Sequence, residues 1–211
     1  MQWYDSSAEN YAVFDNKYPK RNLDLKIKIK NLSNKKKPKF VLDLGCGSGR
    51  YLPFLKGKII VGVDLSKGML KQAKKFEHVH FVQADIYHLP FRQKIFDLIV
   101  SMSVIGEYCP FTVELLEEIC NVLRDKGIFL FTVIPLHHVL LPFPSKYLGF
   151  FMPLQIIQFI RGKSTILHFC ASKLQVIKIL RKLGLEILKI NERHGELYPH
   201  FIIEALMSSY V

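Results

Sequence analysis

Cysteine is scarce in this sequence: four residues in 211 (Cys46, Cys109, Cys120, Cys170), with no Cys-x-x-Cys pair and no regular spacing. That usage argues against a disulfide framework and against a zinc site, and no metal is expected. The first residues, Met1-Gln2-Trp3-Tyr4-Asp5-Ser6-Ser7, lack the charged-then-apolar order of a secretory signal. A reducing, cytoplasmic setting is the expectation. No internal repeat and no low-complexity tract is present. Acidic side chains are also in short supply, 18 against 30 Lys and Arg, for a formal charge of +12.

Such an excess of positive charge suits an anionic partner such as nucleic acid or a membrane surface. Residues 1–40 carry ten basic and four acidic side chains, +6, which is half of the total. Within them Lys26, Lys28 and Lys30 alternate with Leu25, Ile27 and Ile29, and Lys35-Lys36-Lys37 precede Pro38. The plainer interpretation is a solvated helix face and loop, since charge runs are usually surface. Nucleic acid is therefore a possible partner that is not favoured.

What the chain does have is a rhythm of short apolar runs. Residues 40–44, 59–64, 80–84, 96–101, 128–133, 185–190 and 200–207 read as seven strands, and those around 49–56, 67–76, 112–124 and 172–183 as helices. The alternation predicts βαβ crossovers and an α/β fold, a doubly wound, mostly parallel sheet of seven strands. About nine residues join the last two strands, too few for a helical crossover, so the last strand is expected to be antiparallel. A 49% hydrophobic composition over 211 residues supports one domain spanning 1–211. Residues 1–38 are expected to form a loop and then a covering helix ended by Pro38. Residues 135–170 interrupt the rhythm as an apolar insert.

The chemistry begins at Val41-Leu42-Asp43-Leu44-Gly45-Cys46-Gly47-Ser48-Gly49-Arg50, a strand running into a glycine-rich turn that opens a helix. Glycines allow close backbone approach to a ligand, and a helix N-terminus presents unpaired N–H groups. Asp43, two positions before the first glycine, would repel a pyrophosphate and attract an ammonium or sulfonium. Asp64 follows Gly45 by 19 residues, at the tip of the next strand, where a carboxylate can accept both hydroxyls of a ribose. Asp85 follows Asp64 by 21 residues, where a carboxylate can accept from an exocyclic amine while a following backbone N–H donates to a ring nitrogen. Three acidic strand ends would thus line the carboxyl edge of one sheet.

Taken together, Asp43-Leu-Gly-Cys-Gly-Ser-Gly, Gly62-Val-Asp64-Leu-Ser-Lys-Gly-Met69, Gln83-Ala-Asp85 with Leu89-Pro90-Phe91, Phe96-Asp97-Leu-Ile-Val-Ser101 and Leu123-Arg-Asp-Lys-Gly127 resemble a class I methyltransferase of the type 11 group. The resemblance spans about residues 40–133, and the opening Trp3-Tyr4-Asp5 and Tyr11 are similar to signals that precede the first motif in that group. It implies a Rossmann-like methyltransferase fold and S-adenosylmethionine as cofactor. It further implies that Gly45, Cys46 and Gly47 pass the methionine part along their backbone and that Asp43 orients its ammonium. Asp64 would hold the ribose, Leu65 and Met69 would flank the adenine, and Asp85 and the Ile86 N–H would bind its edge. Ser101 would offer a backbone carbonyl to the ammonium, and Tyr11 would close the pocket. One departure is Asp125-Lys126-Gly127, where the group commonly has Lys-Pro-Gly; the turn glycine is kept. Cys46 is read as a small turn residue without assigned reactivity.

Methyl transfer from a sulfonium is an in-line displacement, so alignment and exclusion of water supply much of the acceleration and a general base is optional. Where an acceptor proton must leave, candidates are Glu107, Tyr108, His137, His138, His168 and His194, with His137 and His138, directly after strand five, the best placed. The stretch 139–160 is long and apolar, but three prolines, Lys146 and two glutamines exclude a clean transmembrane helix. It reads as a lid over an apolar acceptor in preference to a dimer surface or a segment lying on a membrane interface. The acceptor is therefore expected to be a small, hydrophobic molecule.

Three rival functions are weaker. Ser101-Met102-Ser103-Val104 is not the Asn/Asp-Pro-Pro-aromatic turn of base-amino methyltransferases, and Cys109-Pro110 reverses the Pro-Cys order of cytosine-C5 enzymes, which leaves other RNA methyltransferases open. A non-catalytic partner subunit of the same fold has no physical need for Asp43, Gly45, Gly47 and Asp64. An NAD-dependent oxidoreductase is disfavoured by Asp43.

Overall fold

The architecture was obtained as a computed structural model, which describes residues 2–18, 22–135, 155–161, 164–193 and 200–209. The helices are α1 (Gln2–Lys17), α2 (Leu23–Lys36), α3 (Lys67–Ala73), α4 (Val113–Val122) and α5 (Lys173–Lys182). The strands are β1 (Phe40–Leu44), β2 (Ile59–Asp64), β3 (Val79–Gln83), β4 (Phe96–Ser101), β5 (Leu123–Val133), β6 (Gln155–Arg161), β7 (Ser164–Cys170), β8 (Leu185–Arg193) and β9 (His200–Met207).

Seven strands form one sheet in the order β3-β2-β1-β4-β5-β9-β8, while β6 and β7 form a separate antiparallel pair. The pairs β2–β3, β1–β2 and β1–β4 are parallel, and β9 runs antiparallel to both β5 and β8. This is the expected fold class. From β1 the chain moves outward to β2 and β3 and then returns to β4 on the other side of β1, so the switch in winding falls at β1.

The chain divides into two compact units, Met1–Val100 with Asn121–Gly127, and Ser101–Cys120 with Ile128–Val211. In the first, Val41, Leu42 and Leu44 of β1 and Ile60, Val61 and Val63 of β2 are buried, as strands covered on both faces require. Asp97 pins the amino ends of β1 and β4, accepting from the Lys39 and Phe40 N–H groups at 2.9 and 2.8 Å and pairing with Arg124 at 2.6 Å. In the second unit Phe129 stacks on Phe131 at 4.2 Å between ring centres. There α5 begins with a complete capping box, Ser172 and Gln175 each bonding the other's backbone N–H.

Several local expectations are corrected. Where the start of 1–38 was expected as a loop, Gln2–Lys17 form α1, whose Ala8 and Ala12 are buried one turn apart. The alternating Lys and apolar residues of 25–30 lie on α2, where Leu25, Ile29 and Leu32 make one buried stripe. Lys26 is buried with them, its ammonium 5.7 Å from the Phe54 ring, so that run is not wholly a solvated face. The helix expected around 49–56 is only a single 3₁₀ turn, Leu52–Phe54, with Pro53 near its start, and it ends where Leu55 becomes extended. Strand β5 begins five residues before the expected Ile128. Within it the left-handed residue is Lys126 (φ 61°), not the retained Gly127. The insert 135–170 contains the strands β6 and β7, and the rest of the apolar run up to residue 154 lies outside the described residues. Among the described residues no helix is long and apolar enough to cross a membrane.

Candidate cofactor site

Asp43 sits in β1 opposite Gly62 of β2 and Val100 of β4. It is 1% exposed, and its Oδ2 has no hydrogen-bond partner. Burial and the nearby Asp64 carboxylate push its carboxyl up to about 7. A carboxylate placed so in the core at the end of a strand is costly without a cation to face it.

The turn after β1 is built from left-handed glycines, Gly45 (φ 75°), Gly47 (φ 54°) and Gly49 (φ 90°). Its N–H groups are already engaged. Gly45 and Cys46 both donate to the Val63 carbonyl, at 2.8 and 2.9 Å, Gly47 donates to Asp64 Oδ2 at 2.8 Å, and Gly49 donates to the Cys46 carbonyl at 3.0 Å. This corrects the expectation of a helix N-terminus with free donors, and it leaves these four positions without an N–H for a pyrophosphate. A Cβ built on Gly47 would meet nothing within 4 Å, so the backbone there borders open space. At Gly49 the added Cβ would lie 2.5 Å from the Phe76 ring, and at Gly62 3.0 Å from Cys46 Sγ, so those two glycines serve packing. The buried Cys46 thiol is pushed well above its ordinary value, first by burial and then by Asp43 and Asp64, which leaves it an inert thiol.

Asp64 ends β2 with both oxygens braced, Oδ2 by the Gly47 N–H and Oδ1 by the Ser66 N–H at 2.9 Å. Each oxygen keeps acceptor capacity beyond these bonds. Burial raises its carboxyl, against the lowering by these backbone donors. The neighbouring Leu65 is 41% exposed, and its carbonyl accepts from the Gln83 amide at 3.1 Å. Met69 is buried in α3. Asp85 is exposed just beyond β3, accepting from the Tyr87 N–H at 3.0 Å, with Ile86 half-buried beside it.

Tyr11, Asp43, Gly45, Cys46, Gly47, Asp64, Leu65, Met69, Asp85 and Ile86 all belong to the first compact unit. Tyr11, on α1, lies with its ring centre 5.2 Å from the Arg50 guanidinium carbon. Ser101, fully buried at the end of β4, belongs to the other unit. Asp5, noted in the sequence only as part of the Trp3-Tyr4-Asp5 signal and given no role there, accepts through Oδ1 from the Ser66 hydroxyl at 2.7 Å and the Gly68 N–H at 2.9 Å. Gly68, a glycine inside a seven-residue helix, is the further sequence feature that marks this contact.

Among the expected proton acceptors, His137, His138 and His194 lie outside the described residues, and His168 lies in β7. Tyr108 is 46% exposed. Glu107 is buried in the second unit, Oε1 2.8 Å from His200 Nε2. His200 was read only as the start of a strand; no sequence spacing links it to a residue 93 positions earlier. No cluster of residues able to hold a metal ion occurs among the described residues.

A buried carboxylate ahead of a donor-saturated glycine turn, with a second carboxylate braced at the next strand end, fits a cationic ligand bearing hydroxyls, and a doubly wound sheet carries it. These features are similar to those of the class I S-adenosylmethionine-dependent methyltransferases, whose fold this chain shares. Residues 42–131 match the family described as "Methyltransferase domain".

The chain is 36% identical over 139 residues to an uncharacterized protein of Methanocaldococcus jannaschii, covering 65% of this chain and 53% of that one. It is 38% identical over 101 residues to a malonyl-acyl-carrier-protein O-methyltransferase of Hamiltonella defensa, covering 46% and 39%. It thus spans about half or less of the length of these relatives. An S-adenosylmethionine-dependent methyltransferase from Clostridium acetobutylicum shares the fold, with a TM-score of 0.68 at 18% identity, over 95% of this chain and 100% of the other.

Proposed function

We propose that this chain, acting over residues 1–211 as one methyltransferase domain, binds S-adenosylmethionine and transfers its methyl group to a small, hydrophobic acceptor. The observation that carries the cofactor half is Asp43, a buried carboxylate with an unpartnered oxygen directly before a turn whose N–H donors are spent. S-adenosylmethionine supplies an electrophilic methyl on a sulfonium, together with an ammonium, two ribose hydroxyls and an adenine edge.

Asp43 holds the ammonium, and the backbone of Gly45, Cys46 and Gly47 gives the methionine part close passage. Asp64 accepts from the ribose hydroxyls with the oxygens that Gly47 and Ser66 already orient. Leu65 and Met69 flank the adenine, Asp85 accepts from its amine and the Ile86 N–H donates to its ring nitrogen. Tyr11 closes the pocket from α1. Chemistry then asks little more of the protein than alignment and exclusion of water. When the acceptor carries a proton that must leave, His137 or His138 takes it.

The acceptor half rests on the apolar composition of 139–160. Relatives named for malonyl-acyl-carrier protein, tRNA and rRNA methylation show how widely acceptors vary around this domain. A second reading, RNA as acceptor, is favoured by the exposed Lys35, Lys36, Lys37 and Lys39. One experiment separates them: labelled-methyl transfer from S-adenosylmethionine into small metabolites, lipids and RNA. Label in an apolar small molecule or lipid supports the first reading. Label in RNA alone, with RNA binding that weakens steeply with salt, replaces it by the second.

A further inference from the structure

Helix α1 touches the candidate cofactor loops at two points. Near its start Asp5 bonds Ser66 and Gly68, which come after β2, and six residues later Tyr11 meets Arg50, which lies beyond the glycine turn. Six residues of helix span about 9 Å, so one rigid element is fastened to the loops after β1 and β2.

The contact at Asp5 is close down to the backbone. A Cβ on Gly68 would lie 2.9 Å from the Asp5 carbonyl oxygen and 3.0 Å from its Cα, atoms that no side-chain rotation can move. A glycine in the first turn of a short helix costs about 0.5–1 kcal/mol relative to alanine, and the approach of α1 accounts for it. Helix α3 also has no acidic residue of its own in that turn, so Asp5 supplies from another helix the negative charge and the acceptor that its N-terminus wants. The two bonds hold the Asp5 carboxyl below its ordinary value, the Ser66 hydroxyl contributing most.

The consequence for Asp64 turns on where one proton goes. Ser66 gives its backbone N–H to Asp64 Oδ1, its hydroxyl oxygen accepts from the Met69 N–H at 3.1 Å, and its single hydroxyl proton goes to Asp5. With Asp5 in place, that proton is committed and Ser66 is held where its backbone N–H braces Asp64 Oδ1. We propose that Asp5 is a positioning residue for ribose recognition, acting through Ser66 to keep the Asp64 carboxylate oriented. This rests on the reading of Asp64 as the ribose ligand.

The test is calorimetric titration with S-adenosylhomocysteine and with its 2′,3′-dideoxy analogue, which lacks the hydroxyls in question. Asp5→Ala is expected to weaken S-adenosylhomocysteine at least about tenfold, through loss of the acceptor that holds Ser66, and the dideoxy analogue by less than about twofold. Asp5→Asn, whose amide oxygen can still accept from Ser66 and Gly68, is expected to recover most of the affinity. Should Asp5→Ala not fold, Asp5→Glu, which keeps the charge but displaces the acceptor by one methylene, is expected to give the same ribose-selective loss in smaller degree. Equal weakening of both ligands, or none, overturns the role of Asp5 while leaving Asp64 and the cofactor intact. No binding of S-adenosylhomocysteine by the unaltered protein overturns the cofactor reading itself, and this role with it.

Discussion

Asp64 reaches across the turn after β1, where its Oδ2 accepts the Gly47 N–H at 2.8 Å, so the end of one strand fixes the loop beyond its neighbour. Gly47 occupies that loop in a left-handed conformation with open space where a side chain would project.

Two glycines of the same turn should therefore respond differently to alanine. Gly47→Ala is expected to cost about 1–2 kcal/mol of stability for its positive φ, a fall of roughly 2–8 °C in Tm, yet to weaken S-adenosylmethionine at least about tenfold by filling the ligand's space. Gly49→Ala carries the same backbone cost and also drives a methyl to 2.5 Å from Phe76, so its Tm should fall further. Thermal melts and calorimetry on both variants check the contrast. Unchanged affinity in Gly47→Ala would show that the open space is not the cofactor's.

The buried carboxyl of Asp43 predicts a pH signature. Its folded pKa of about 7 lies above the ordinary value of 3.8, so the folded protein binds the extra proton. The unliganded protein should lose stability as pH rises from about 4 to about 7, with the full contribution present below that window. Asp43→Asn should flatten this dependence and raise Tm at pH 8, while abolishing cofactor binding. Because an ammonium is held by the ionised form, S-adenosylmethionine should bind more tightly at pH 7.5 than at pH 6, with proton release visible as a buffer-dependent heat. A pH-independent affinity and melting profile would contradict the assignment.

In the second compact unit, Glu107 and His200 form a buried pair with side chains 5% and 8% exposed. Glu107→Ala removes the oxygen facing the imidazole and should cost about 1–3 kcal/mol. Glu107→Gln keeps an acceptor there and should cost less. Urea unfolding of the two variants decides it; equal losses would mean that packing, and not the hydrogen bond, is what Glu107 provides.

Much of the fold was legible because β1, β2 and β4 are buried on both faces and therefore read as unbroken apolar runs. The glycine turn and the carboxylates Asp43, Asp64 and Asp85 were legible because their spacing is set by strand and crossover lengths. Helix α1 was not, since Ala8 and Ala12 are the small residues it buries among polar neighbours, a weak periodic signal. The strands β6 and β7 were missed for a different reason. Two β-branched runs separated by Gly162-Lys163 do form a hairpin signal, but the proline-rich apolar stretch before them dominates the segment. The partners of Asp5 and His200 were out of reach, because each is brought near only by tertiary packing.

If the Asp43 and Asp64 carboxylates with the glycine turn make a site for a cationic nucleoside ligand, that site must choose between S-adenosylmethionine and NAD. Titration calorimetry with both ligands, on the unaltered protein and on Asp64→Ala, puts the choice to it. The predicted result is heat with S-adenosylmethionine, none with NAD, and at least about tenfold weaker binding in the variant, the expected loss for hydrogen bonds to a charged group. Absence of heat with S-adenosylmethionine, or saturable binding of NAD, would contradict it.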